Sequence, residues 1–131
     1  TDTPEYRRFN LNIGNSVGLK NGLLKTRARY YRENRFAGDV DWNTGDRGSA
    51  LVYGRDIATE RGELTLQWGN ISLPFGTLAL ESASVYHSQD SWYGATEFDA
   101  LQLRNFTRMS LGRKWSGQHN SLAQGFFTYE D

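Results

Sequence analysis

At 131 residues the chain has the length of one domain, and its 15 lysines and arginines are balanced by 15 aspartates and glutamates. A net charge of zero gives no long-range field to gather nucleic acid, and the absence of cysteine removes disulfide staples and thiolate metal sites. No stretch reads as a signal peptide and no apolar run approaches the roughly 18 residues of a membrane helix. A membrane barrel stays open, because its strands alternate and keep mean hydropathy low.

Residues 1–7 read as a polar entry. From Arg8 to Phe36 the chain forms two alternating runs about a turn. In the first, Phe9, Leu11, Ile13, Val17 and Leu19 alternate with small or polar residues, the pattern of a strand with one apolar face. Lys20-Asn21-Gly22 then supplies a hairpin turn. In the second run Leu24, Thr26, Ala28 and Tyr30 share one face, and Lys25, Arg27 and Arg29 the other.

Residues 35–49, rich in Gly, Asp and Asn, read as a long exposed loop. A short strand over 50–57 is expected to turn at 58–62. A further alternating strand over 63–72 places Leu64, Leu66 and Trp68 opposite Glu63, Thr65 and Gln67, and Pro74 stops it. Residues 77–86 read as a strand and 87–96 as a second polar loop. Residues 99–113 alternate Leu101, Leu103, Met109 and Leu111 against Gln102, Arg104, Arg108 and Ser110. After a turn at 114–120, residues 121–130 form the last strand. The expected total is seven strands in a single all-β domain over 1–131, either an antiparallel β-barrel or a two-layer β-sandwich. It can equally be a fragment or a rearranged part of a larger barrel.

Four groups of residues carry candidate chemistry. Lys25, Arg27, Arg29, Arg104 and Arg108 form basic rows with members about 7 Å apart along a strand, a ladder of donors for carboxylate or phosphate. The plainer alternative is the hydrated face of a sheet. Tyr30, Tyr31, Trp68, Tyr86, Trp92 and Trp115 lie near expected strand ends, where aromatic residues form membrane girdles, stack on sugars, or simply pack. In the loop, Asp39, Asp41, Asn43 and Asp46 place oxygens at near-alternate positions. That suggests calcium, yet Ala50 stands where an EF-hand needs its bidentate Glu. His119 and Ser121, two apart, share a strand face where a base reaches a nucleophile, but no orienting third residue presents itself.

Several phrases together resemble one family, the OprD-like outer-membrane porins. PEYRRFNLNIG at 4–14 with KNGLLKTRARYYRENR at 20–35 is similar to a strand, turn and arginine-alternating strand of those barrels. ALQLRNFTRM at 100–109, LAQGFFTYED at 122–131 and ELTLQWGNISLPFG at 63–76 resemble others. The similar pieces cover about half of the chain, in an order other than the family's. The resemblance implies a non-enzymatic channel of barrels with about eighteen strands, lying in the bacterial outer membrane and passing small polar or anionic solutes. Lys25, Arg27, Arg29, Arg104 and Arg108 are the positions it would set on the channel wall.

Two other expectations stand beside it. One is a secreted or periplasmic β-sandwich that binds carbohydrate through Trp42, Trp92, Asp39, Asp41 and Asp46. The other is a barrel hydrolase using His119 and Ser121. Beyond calcium at Asp39, Asp41 and Asn43, no cofactor, metal or nucleic-acid partner is implied.

Overall fold

The computed structural model describes residues 5–39, 41–116 and 119–131. The protein is all-β. Six strands, β1 (Glu5–Leu19), β2 (Gly22–Gly38), β3 (Gly54–Leu73), β4 (Gly76–Tyr93), β5 (Thr96–Ser116) and β6 (His119–Glu130), form one antiparallel sheet in the order of the chain. The sheet is not closed, so the outer edges of β1 and β6 face no strand among the described residues.

Six strands replace the seven expected, and they are longer. The sequence 58–62, expected to turn, runs straight through as the middle of β3. Its residues find partners on the neighbouring strands: Glu60 pairs with Arg32 of β2 at 3.5 Å, and Gly62 lies beside Tyr86 of β4. Cross-strand pairing overrides a local turn signal here. The expected strand over 50–57 begins only at Gly54, and residues 50–53 belong to the loop. Residues 87–93, expected to be loop, continue β4 as far as Tyr93. Ser91 is wholly buried there and accepts a hydrogen bond from Gln89 Nε2 at 2.8 Å, whereas His87 Nδ1 is buried with no hydrogen-bond partner among the described residues. Gly94, at φ 58°, makes the turn. At the other end, β1 already starts at Glu5, while residues 1–4 lie outside the described residues.

The hairpin turn falls where the sequence places it. Lys20 and Asn21 make the bend, and Gly22 alone takes the positive φ, 107°. Asn21 then ties the turn to the end of β3: its side-chain amide donates to Ser72 O at 3.1 Å and accepts from Ser72 N at 2.7 Å. Trp68 Nε1 donates to Asn21 O at 3.1 Å. Pro74 follows the last residue of β3, as expected.

The chain divides into two compact units, one of residues 1–11, 30–62 and 86–102 and one of 12–29, 63–85 and 103–131. Within the second unit, Ile13, Val17, Leu19, Leu64, Leu66, Trp68, Leu103 and Met109 are all exposed. In the first, Phe9 and Leu11 are likewise exposed, with Phe9 against Tyr30 at 6.2 Å between ring centroids. Ile71 is the one buried large hydrophobic residue among those described. A globular domain of this size ordinarily buries a contiguous core, so the apolar face of this sheet has no cover within the described chain. Along β2 the apolar positions Leu24, Thr26, Ala28 and Tyr30 give way to Arg32, which pairs with Glu60. Tyr30 therefore marks where the apolar belt ends on this strand.

The segment between β2 and β3 is held by its own bonds. Asn43 Oδ1 accepts from Gly45 N at 2.9 Å and Asp46 Oδ2 from Asn43 N at 2.9 Å, a reciprocal cap on the short turn Thr44–Asp46. Arg47 Nε donates to Asp56 Oδ2 at 2.8 Å. Trp42 stacks on Phe36 with centroids 4.4 Å apart and lies over Gly54, where an added Cβ would stand 2.4 Å from Trp42 Nε1. Gly54→Ala is accordingly expected to cost about 1–3 kcal/mol through displacement of the indole. Thermal melts of the single variants and of Gly54→Ala combined with Trp42→Ala check this: the double variant should lose less than the sum. Additive losses would refute the contact.

Candidate functional site

Alternation along the strands sets the charged side chains on the face opposite the apolar one, and the structure shows how they are matched. In the second unit Arg29 of β2 lies 3.7 Å from Glu63 of β3. Gln67 of β3 donates to Glu81 of β4 at 3.0 Å, and Arg108 of β5 forms an ion pair with the same Glu81. Arg104 Nε donates to Glu130 of β6 at 2.9 Å, its residue standing opposite Glu130 in the β5–β6 register. Three of the five residues of the expected basic rows thus carry their own counter-charge. Lys25 and Arg27 are the other two, and no carboxylate pairs with either among the described residues. They border a groove of about 520 Å³ together with Gly14, Asn15, Ser16, Thr65 and Gln67.

Of the five row positions, the two without a counter-charge are thus two residues apart on β2. Paired arginines contribute little net field beyond the Debye length, about 10 Å at 0.1 M salt, whereas Lys25 and Arg27 sum. Hydroxyl and amide groups of Ser16, Asn15, Thr65 and Gln67 add neutral donors at the same groove. Gly14 keeps it clear, since a Cβ there would meet only Thr26 O, at 3.8 Å. An arrangement of this kind attracts and releases hydrated anions; it holds no general base beside a nucleophile.

In the first unit a second charged centre was not singled out from the sequence. Glu33, 3% exposed, accepts from Arg8 Nε at 2.7 Å and Tyr31 Oη at 2.6 Å and forms an ion pair with Arg35. Arg8 also lies over the Tyr31 and Tyr6 rings, 5.5 and 5.8 Å from their centroids. The group borders a pocket of about 300 Å³ with Phe36 and Arg55. Hydrogen bonding, first from Tyr31 and then from Arg8 and Arg35, holds the Glu33 carboxyl down at about 2 against the opposing effect of burial. The same hydrogen bond pushes the Tyr31 phenol up. Glu33 lies beyond Tyr30, outside the apolar belt.

Because the folded value is depressed, the stability Glu33 contributes is complete above its ordinary value of 4.5 and is lost as pH falls towards about 2. Glu33→Gln should lower the thermal midpoint at pH 7 and bring the two proteins together as pH falls through that window. Parallel midpoint curves from pH 7 to pH 2 would dismiss the role. The sequence did contain a signal for this centre: Tyr31, Glu33 and Arg35 continue the odd-numbered row of Lys25, Arg27 and Arg29.

The remaining expected positions are dispersed. Asp39 and Asp41 are exposed, while Asn43 and Asp46 direct oxygens to backbone amides of their own turn. Among the described residues one trio of carboxylates converges within 4.8 Å, the exposed Asp90, Glu97 and Asp99, and Asp39, Asp41 and Asp46 form no such trio. Phe36 occupies one face of Trp42, and Trp92 packs beside Gly48, 3.3 Å from the position of a Cβ there. Both indoles thereby anchor the loop. Ser121 stands opposite Arg113 on the exposed β6 strand; the side chains of His119 and Trp115 lie outside the described residues.

No protein-family model matches the chain, and comparison with curated proteins and with solved structures finds no similar one.

Proposed function

We propose that the chain is a β-barrel or barrel-derived part of an outer-membrane channel that passes small polar or anionic solutes. The observation that carries this reading is the uncovered apolar face. A sheet of six long strands with exposed Ile13, Leu66, Leu103 and Met109 on one side and matched Arg–Glu pairs on the other has the two-sided chemistry of a wall between lipid and water. The backbone argument agrees, because a strand pairs its amides with its neighbours and so tolerates hydrocarbon on its face. Among the described residues no helix is long and apolar enough to cross a membrane.

On this reading Lys25 and Arg27 are the solute-facing cations, and the paired arginines chiefly keep the wall hydrated and ordered. Low-dielectric walls focus the field of the two charges and raise the local concentration of anions. Preparation with and without detergent, followed by planar-bilayer recording, tests the proposal. Detergent-dependent solubility, heat-modifiable gel mobility and discrete conductance steps are expected. A monodisperse monomer in plain buffer that conducts nothing would end it.

A further inference from the structure

Three arginines from three strands border the pocket of about 300 Å³ in the first unit: Arg8 of β1, Arg35 of β2 and Arg55 of β3. Two of them are held by Glu33. Arg8 donates to it through Nε and Nη2, and Arg35 through Nε. Nη1 of Arg8, both Nη groups of Arg35 and the whole guanidinium of Arg55 make no hydrogen bond or ion pair among the described residues. The side chains of Arg8 and Arg35 are about half exposed and Arg55 is exposed as well, so a solute reaches all three. A buried carboxylate bonded to two guanidiniums also restrains them before any ligand arrives, which lowers the ordering cost of binding.

Charge and shape narrow the ligand. Three guanidiniums stand against two carboxylates at this pocket, Glu33 and the exposed Glu5. The Glu33 carboxylate is engaged by Arg8, Arg35 and Tyr31, and Arg55 has no counter-charge among the described residues. The excess is positive and the ligand an anion. A carboxylate is planar, and one guanidinium fork satisfies its two oxygens. Donors brought to one pocket by three strands instead match a tetrahedral anion, whose oxygens do not share a plane. The volume stands at the lower end of the range for small-molecule sites, about 300–1,000 Å³. Phe36 and Ala37 give the pocket an apolar border, where the carbon part of an ester would lie.

We propose that this pocket binds a small phosphate monoester, with Arg55, Arg35 and Arg8 as donors to the phosphate and Glu33 positioning the last two. The proposal does not use the channel reading. The pocket lies in the first unit and Lys25 and Arg27 in the second, and binding is measured without conductance.

Titration calorimetry of the full chain in detergent at low ionic strength, with phenyl phosphate, inorganic phosphate and benzoate, tests it. Phenyl phosphate is expected to bind saturably, inorganic phosphate several-fold more weakly, and benzoate more weakly again. Arg55→Gln breaks no ion pair among the described residues and should leave the melting midpoint in place. It should weaken phenyl phosphate about tenfold, the equivalent of one charge-assisted hydrogen bond. Arg55→Lys should restore only part of the loss, since a point charge replaces a fork. Benzoate binding as tightly as phenyl phosphate would overturn the choice of a tetrahedral anion, and equal binding of the two phosphates the choice of an ester. Absence of saturable binding, or binding that Arg55→Gln leaves unchanged in a protein with an unaltered midpoint, would overturn the site itself. Binding by protein that conducts nothing would support the pocket while ending the channel.

Discussion

If the apolar face meets lipid, replacing Leu66 by arginine is expected to cost the folded protein about 2–4 kcal/mol in a bilayer, the penalty for a cation near the midplane. Leu66 lies on β3, which has a strand on either side, and it is 41% exposed with Leu64 and Trp68 next to it on the same face. A bare face in water predicts something else, since a surface substitution of this kind stays within about 0.5 kcal/mol. A face covered by a protein partner also penalises arginine, but without order along the strand. Arginine placed in turn at Leu64, Leu66 and Trp68, with unfolding followed in vesicles, separates the three. Lipid gives a cost that peaks in the middle of the belt and falls to about 0–1 kcal/mol towards its ends. A flat profile across the three positions would exclude the bilayer as the cover.

Period-two alternation made the strands and their two faces legible in the sequence. Every residue that the pattern of β1 placed on the apolar side, from Phe9 to Leu19, is exposed in the structure, and the Asn21-Gly22 hairpin sits where it was expected. Strand length was not legible. Gly62 looks like a turn when only near neighbours are considered, and it is strand with Tyr86 of β4 across from it; the polar run from His87 to Gln89 continues β4 towards a buried Ser91 on the same strand. The charged face was half legible. Alternation gave Arg29, Arg104 and Arg108 their side of the sheet but could not show Glu63, Glu130 and Glu81 within reach of them. The equal totals of acid and base were the available hint. Counting arginines alone gave a uniformly basic wall, whereas pairing across strands leaves only Lys25 and Arg27 of the five row residues without a carboxylate. The Glu33 centre was hidden for the same reason: its partner Arg8 is 25 residues away in the chain.

On the proposed channel reading, changing Lys25 and Arg27 together to glutamate is expected to invert the ion preference. Each substitution alters the groove by two charges, so the pair passes from +2 to −2 at positions that border the same 520 Å³ groove. Fields of this kind change local ion concentration by on the order of tenfold or more, which moves a reversal potential across zero in a salt gradient. The inversion should be greatest at low ionic strength and should fade near 1 M, where the Debye length is about 3 Å. Replacing Arg108 by glutamine together with Glu81→Gln provides the contrast. It removes one matched pair and leaves the net charge unchanged, so the reversal potential should hold while stability drops by about 0.2–1 kcal/mol. If both double variants shift the reversal potential equally, the field comes from the whole wall and the groove has no special part in it. If neither does, charge on this face does not govern passage, and the positions of Lys25 and Arg27 reflect only the hydrated side of the sheet.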